Sequence, residues 1–141
     1  MSTPSGDPTA ALEAEITEFY KLYVQTINES WTAAEALQRR REMFADSCAD
    51  CLRGYELARR AREEDMLLYG GIVSVKDVRI DHSTERSIAV TTRSSSSAGE
   101  LRDQTGSIVQ PFVESTDVQI VYQIEQDADG QWIIVDSQVS G

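Results

Sequence analysis

Two cysteines, one histidine and a scatter of acids are the residues through which this chain could do chemistry. Cys48 and Cys51 are spaced C-x-x-C, a pattern that serves as a redox pair, as half of a metal site or as a small structural disulfide. Zinc is the easiest of these to dismiss. It takes four ligands, and the whole sequence holds 2 Cys and 1 His. That histidine, His82, falls in the turn-like run Asp81-His82-Ser83-Thr84 and reads as an exposed turn residue. A redox pair gains from a helix N-terminus, which lowers a thiol pKa. Here Asp46 and Asp50 crowd the pair with negative charge, and no βαβ unit leads into it as in a thioredoxin-like site.

Acid–base chemistry needs a carboxylate with reach to a substrate proton and a tuned pKa. Asp46 and Asp136 are the acids that could face inward, and either could serve as the base of a small isomerase or hydrolase. No serine lies in a G-x-S-x-G setting, and no glycine-rich phosphate loop is present. Asp127-Ala128-Asp129-Gly130 resembles the start of a calcium loop, but the remaining ligands, including the closing Glu, are missing. The sequence thus assigns no catalytic residue, no metal and no cofactor.

The totals narrow the partners. Across 141 residues, Lys plus Arg is 13 and Asp plus Glu is 24, a net charge of −11. Nucleic-acid binding rests on neutralising phosphates with basic residues, and adhesion to an anionic membrane surface needs the same charge. Neither suits this chain. Hydrophobic residues at 40% and charged ones at 26% describe a globular domain with one core. No run is long enough to span a bilayer, and residues 1–7 lack the apolar core of a signal peptide. They read as a flexible linker ahead of a single domain over 8–141.

The elements that must position these residues come in two blocks, hinged at Asp46-Ser47-Cys48-Ala49-Asp50-Cys51. Asp7 followed by Pro8 is a good helix start. Leu12, Ile16, Phe19, Tyr20, Tyr23 and Ile27 then form one apolar stripe, which predicts a helix from Pro8 to Asn28. Thr32 with Glu35 is a capping box for a second helix through Leu37, Met43 and Phe44. Its Arg39-Arg40-Arg41 run reads as a solvated face. Ser47 caps a third helix, with Cys51, Gly54, Tyr55, Leu57, Ala58 and Ala61 inward and a Glu56 to Arg60 pair outward. It ends near Glu64 or Asp65.

After Gly70-Gly71 the pattern alternates. Four strands are expected: Ile72 to Ile80 with a bulge before Val78, Ser87 to Arg93, Val113 to Gln126, and Gln131 to Val139. An aspartate-glycine turn joins the last two. In the final strand Trp132, Ile134 and Asp136 share one face. Ser94 to Gly106 is polar and reads as a mobile hairpin loop with ragged strand extensions, and Pro111 suits a strand edge. Helices first and strands after them define an α+β fold: three helices packed on a curved four-stranded antiparallel sheet, cone-like with a cleft.

This order resembles the nuclear-transport-factor-two-like (cystatin-like) cone, and within it a family of uncharacterised actinobacterial exported lipoproteins. The likeness is carried by Phe19-Tyr20-x-x-Tyr23, Cys48-Ala49-Asp50-Cys51, Gly70-Gly71-Ile72-Val73 with Asp77-Val78, Gln110-Pro111-Phe112 and Trp132. It runs over about Glu15 to Val139. The resemblance implies a domain tethered outside the cell membrane through a lipid anchor, with no known activity. The leader and the lipid-modified cysteine of that family are not in this sequence. If the chain is exported, Cys48 and Cys51 form a disulfide.

Cone-fold enzymes carry an Asp or a His–Asp pair deep in the cavity, which keeps a cone-fold isomerase or hydrolase with a cavity aspartate as the alternative. The preferred expectation is a non-enzymatic exported domain that binds an apolar small ligand or a protein partner. Tyr20, Tyr23, Tyr55, Tyr122 and Trp132 are expected to line its cleft, since clefts are mostly aromatic and apolar. A homodimeric scaffold formed through the sheet is a further alternative, and a cytoplasmic location is the alternative to export.

Overall fold

The computed structural model describes residues 8–84 and 86–140. The linker expected over residues 1–7, and the cap expected of Asp7, lie outside them. Three helices, α1 (Pro8–Ser30), α2 (Ala34–Glu42) and α3 (Ala49–Glu63), precede seven strands. These are β1 (Leu67–Gly70), β2 (Val73–Ser83), β3 (Ser87–Ser96), β4 (Gly99–Arg102), β5 (Ile108–Phe112), β6 (Ser115–Gln126) and β7 (Trp132–Ser140). The four expected strands are β2, β3, β6 and β7. They form one antiparallel sheet in the order β2-β3-β6-β7.

The other three strands correct the expected loop. Ser94 to Gly106 is a loop only in part: its first residues extend β3, as expected, but Gly99–Arg102 is a strand, β4, of a second antiparallel sheet in the order β1-β4-β5. Its polarity hid this because Leu101 is its only large apolar residue, and that residue is fully buried with Ala61 and Met66 in a satellite core. Gly99 permits the crossing. A Cβ there would stand 2.4 Å from the Gly71 nitrogen and 2.5 Å from the Tyr69 carbonyl oxygen. Pro111 falls in β5, an edge strand, where its missing N–H breaks no ladder. His82 is likewise in a strand rather than a turn. A second irregularity, between Ile80 and His82, carries β2 on to Ser83 and leaves His82 exposed opposite Ala89.

α1 is amphipathic and buries Ile16, Tyr20, Tyr23 and Val24 against the large sheet. The Asn28 side chain closes this contact by bonding both the N–H and the C=O of Val73, at 3.0 and 2.9 Å. Neither expected side-chain cap forms. Thr32 donates to Glu29 O and leaves Ala33 at the start of α2. The Ser47 hydroxyl crosses to Val135 O at 2.7 Å and leaves Cys48 at the start of α3. On the outer face of α3, Arg59 takes Glu56 and Glu63, and Arg60 takes Glu64, in place of the expected Glu56–Arg60 pair.

The joint between α2 and α3 is what ties the helices to the last strand. Ala45 N donates to Ile134 O at 2.8 Å, and Ile134 N donates to Met43 O at 3.0 Å. Phe44 thus bridges β7 in parallel register. This segment covers the edge of β7 and sets α3 beside it. Inside, Ile88, Ile124 and Ile134 lie across from one another and are fully buried, each contributing about 1.5–3 kcal/mol.

Candidate functional site

The inner face of the large sheet is read off its register. Val90 faces Tyr122, which faces Ser137; Thr92 faces Ile120, which faces Val139. α1 lays Tyr20 and Tyr23 over these rows. The hydroxyls of Tyr20 and Tyr122 are 3.2 Å apart, and Thr92 Oγ1 donates to Tyr20 Oη at 3.4 Å. The two rings sit 5.1 Å apart at 54°, within the ordinary range for tilted aromatic pairs.

A bulge decides which residues of β7 reach this face. Ile124 pairs with Ile134, yet Gln123 pairs with Asp136, so Val135 is the extra residue. One inserted residue reverses the alternation beyond it. Ser137 therefore turns inward, Val139 takes the same face at the open margin of the sheet, 68% exposed, and Asp136 turns outward, exposed beside Gln123. Asp136 does not share a face with Ile134 as strict alternation predicts. Asp46 is also outside: its side chain is 84% exposed and paired with Arg41. Among the described residues no carboxylate is buried in the core.

Between α1, α2, the start of α3 and β6–β7 lies a cleft of about 350 Å³. Tyr23, Arg40, Cys51, Ile120, Tyr122 and Ser137 are among its lining residues, with Asp50 and Arg53 at the α3 side. The five aromatic residues expected to line one cleft divide. Tyr23 and Tyr122 line it, and Tyr20 lies against both, 2% exposed. Tyr55 is elsewhere, packed edge-on against Phe44 at 6.0 Å and under Arg41. Trp132 lies in a separate groove of about 340 Å³ with Phe19, Leu22 and Met43, and its indole N–H donates to Glu15.

Arg40 departs from the solvated face expected of the Arg39-Arg40-Arg41 run. It is not on a solvated face; it is 5% exposed. The reason is geometric. Three consecutive helical residues spread over about 200° of the helix, so a short helix packed between two others cannot keep all three in water. Arg39 and Arg41 reach Glu29 and Asp46 at the surface, and Arg40 points in. Its Nη1 donates to Ser30 Oγ at 3.1 Å, and its Nε is buried without a hydrogen-bond partner. Among the described residues no carboxylate pairs with it. Gly54 makes room for the head group: a Cβ there would stand 2.6 Å from Nη2.

The site's proton affinities follow from this burial. Burial lowers the Arg40 pKa, and the neighbouring Tyr23 hydroxyl partly opposes that. Burial raises the Tyr23 pKa against the pull of Arg40. Burial, with Tyr20 adding to it, holds the Tyr122 phenol well above its usual 10.0.

At the corner of the cleft Cys48 and Cys51 are joined in a disulfide, with Cα atoms 5.3 Å apart. Both are buried in the main core, and the Ser137 hydroxyl approaches Cys48 Sγ to 3.6 Å. Of the three readings of C-x-x-C, the bond leaves no free thiolate for a metal, and the burial of both sulfurs favours the structural bridge over a redox pair.

No family model matches the sequence, and none of the curated proteins matches it. Solved structures do match. The intermembrane-space region of the chloroplast protein ARC6 superposes with a TM-score of 0.56 at 12% identity, covering 90% of this chain and 95% of that one. ActVI-ORFA from Streptomyces coelicolor gives 0.55 at 12% identity over 93% and 95%. A Catenulispora acidiphila protein in complex with S-DNPA gives 0.52 at 10% identity over 92% of each. These likenesses show that the chain shares its α+β fold, helices first and antiparallel strands after them, with those structures. Identities this low establish architecture alone. Among the described residues no helix is long and apolar enough to cross a membrane.

Proposed function

We propose that this chain is a binding domain of an exported protein and that it takes a small, largely apolar ligand into the cleft between α1, α2, the start of α3 and β6–β7. The observation that carries this reading is the cleft itself. Its volume of about 350 Å³ lies within the range of small-molecule sites, and aromatic and aliphatic side chains line it around a few polar groups. The disulfide supports export, because such bonds persist in oxidising compartments. The lipid tether rests on the family resemblance. Both candidate bases, Asp46 and Asp136, lie outside the cleft, which favours binding over the isomerase or hydrolase alternative.

The test is to incubate the purified protein with a lipid extract and weigh the complex by native mass spectrometry. Retention of a discrete small molecule, lost when Tyr122→Trp fills the cleft, is the expected result. An unchanged mass with every extract, from a protein that remains folded, would overturn the reading.

A further inference from the structure

We infer that Arg40 forms an anion subsite in this cleft and that the ligand is an amphiphile with a carboxylate head group. The inference rests on the binding role just proposed and names the chemical class of its ligand.

Several independent features meet at one side chain. Arg40 lines the cleft, is 5% exposed, and has one nitrogen, Nε, buried with no partner. Its contacts are with neutral hydroxyls, Ser30 Oγ and the neighbouring Tyr23 phenol. The Asp50 carboxylate at the α3 side of the cleft is engaged elsewhere, 2.7 Å from Arg53. A buried guanidinium is ordinarily matched by a carboxylate or a full set of acceptors. Here the protein supplies neither, in a chain whose net charge of −11 offers acids freely.

The space around the group is also prepared. Any side chain at position 54 would collide with Nη2, and the glycine there lets the guanidinium lie against α3. Ser137 and the Tyr23 and Tyr122 phenols line the same cleft and can donate to an oxyanion. Both phenols hold their protons more firmly than an ordinary tyrosine, so they remain donors at neutral pH. Ile27, Ile120 and Val139 supply the apolar wall for the rest of the molecule. A planar guanidinium beside hydroxyl donors and an aliphatic wall matches a carboxylate on a hydrocarbon body.

The probes are decanoate and its methyl ester, titrated calorimetrically at neutral pH against the intact protein. The expected result is that decanoate binds about tenfold or more tightly than the ester. In Arg40→Met the two should bind alike, near the wild-type affinity for the ester; Arg40→Lys should keep part of the preference. Should Arg40→Met fail to fold, Gly54→Ala, which displaces the guanidinium, should narrow the same ratio. Equal affinities in the wild type would sink the subsite while leaving the apolar cleft intact. No binding of either probe would overturn both readings. Competition by inorganic phosphate as strong as by decanoate would assign the site to a free oxyanion and overturn the amphiphile.

Discussion

The Nη2 atom of Arg40 lies 2.6 Å from where a Cβ on Gly54 would stand. Two helices are thereby locked by the absence of a side chain. Gly54→Ala gives a direct measure of that lock. In an unconstrained helix interior, alanine stabilises by about 1 kcal/mol over glycine. Here the new methyl must push a buried head group away from Ser30, and that cost cancels or exceeds the helix gain. Urea midpoints should therefore be unchanged or lower; a full gain of about 1 kcal/mol would show that the guanidinium is free to move.

Arg40→Met should leave the protein as stable as before, or raise its stability by about 1–3 kcal/mol. A charge buried without a carboxylate is costly, and an apolar replacement of similar volume removes that cost. Ser30 keeps a partner, because its hydroxyl also donates to Ile27 O at 2.7 Å. A loss above about 3 kcal/mol in thermal or urea unfolding would instead identify Arg40 as a strut of the helix layer.

Cys48→Ala/Cys51→Ala tests the corner. The loop closed by this bridge is short, so the chain-entropy contribution is about 2 kcal/mol, and the lost sulfurs add a small cavity cost. A total loss of about 2–3 kcal/mol is expected. Alkylation under denaturing conditions should find no free thiol until a reductant is added, and two afterwards. Two thiols without reductant, in material from an oxidising compartment, would refute the bridge.

The long elements are legible in the sequence; the placement of Asp136, Arg40, Tyr55 and Trp132 is not. α1 and β6 were legible because Ile16, Tyr20 and Tyr23, and then Ile120, Tyr122 and Ile124, repeat at the spacing of their own secondary structure. β4 was not, because its pairing is a backbone event and Leu101 is the only large apolar residue to announce it. Strict alternation puts Asp136 inside, because a bulge leaves no mark on it, and Val135 alone shifts the rest of β7. A charge run is usually a solvated face, and that expectation puts Arg40 outside. The signal against it was available: three arginines in a row on a short helix with helices before and after it. Tyr55 and Trp132 are aromatic residues of the core margin, and aromaticity alone does not say which cavity a ring faces.

Alkaline titration is expected to weaken the fold from about pH 10 upward, with Tyr122 as the main contributor. The sign follows from the direction of its shift. Below pH 10 the folded and unfolded chains both carry the phenol proton, and the group adds no slope. Above it the unfolded chain releases the proton, while the buried phenol, whose pKa is raised, retains it. The native state then binds more protons, so stability falls with rising pH, by up to about 1.4 kcal/mol per unit for each such group. Tyr23, raised in the same direction, adds to the slope. Arg40, lowered by burial, opposes it. Tyr122→Phe separates these contributions. At neutral pH it loses the hydrogen bond to Tyr20 and should cost about 1 kcal/mol. Above pH 10 its stability should fall less steeply than that of the wild type, so the two curves converge. Parallel curves in urea unfolding across that range would mean that the Tyr122 phenol titrates as if in water, and the cleft would then be wide open to solvent.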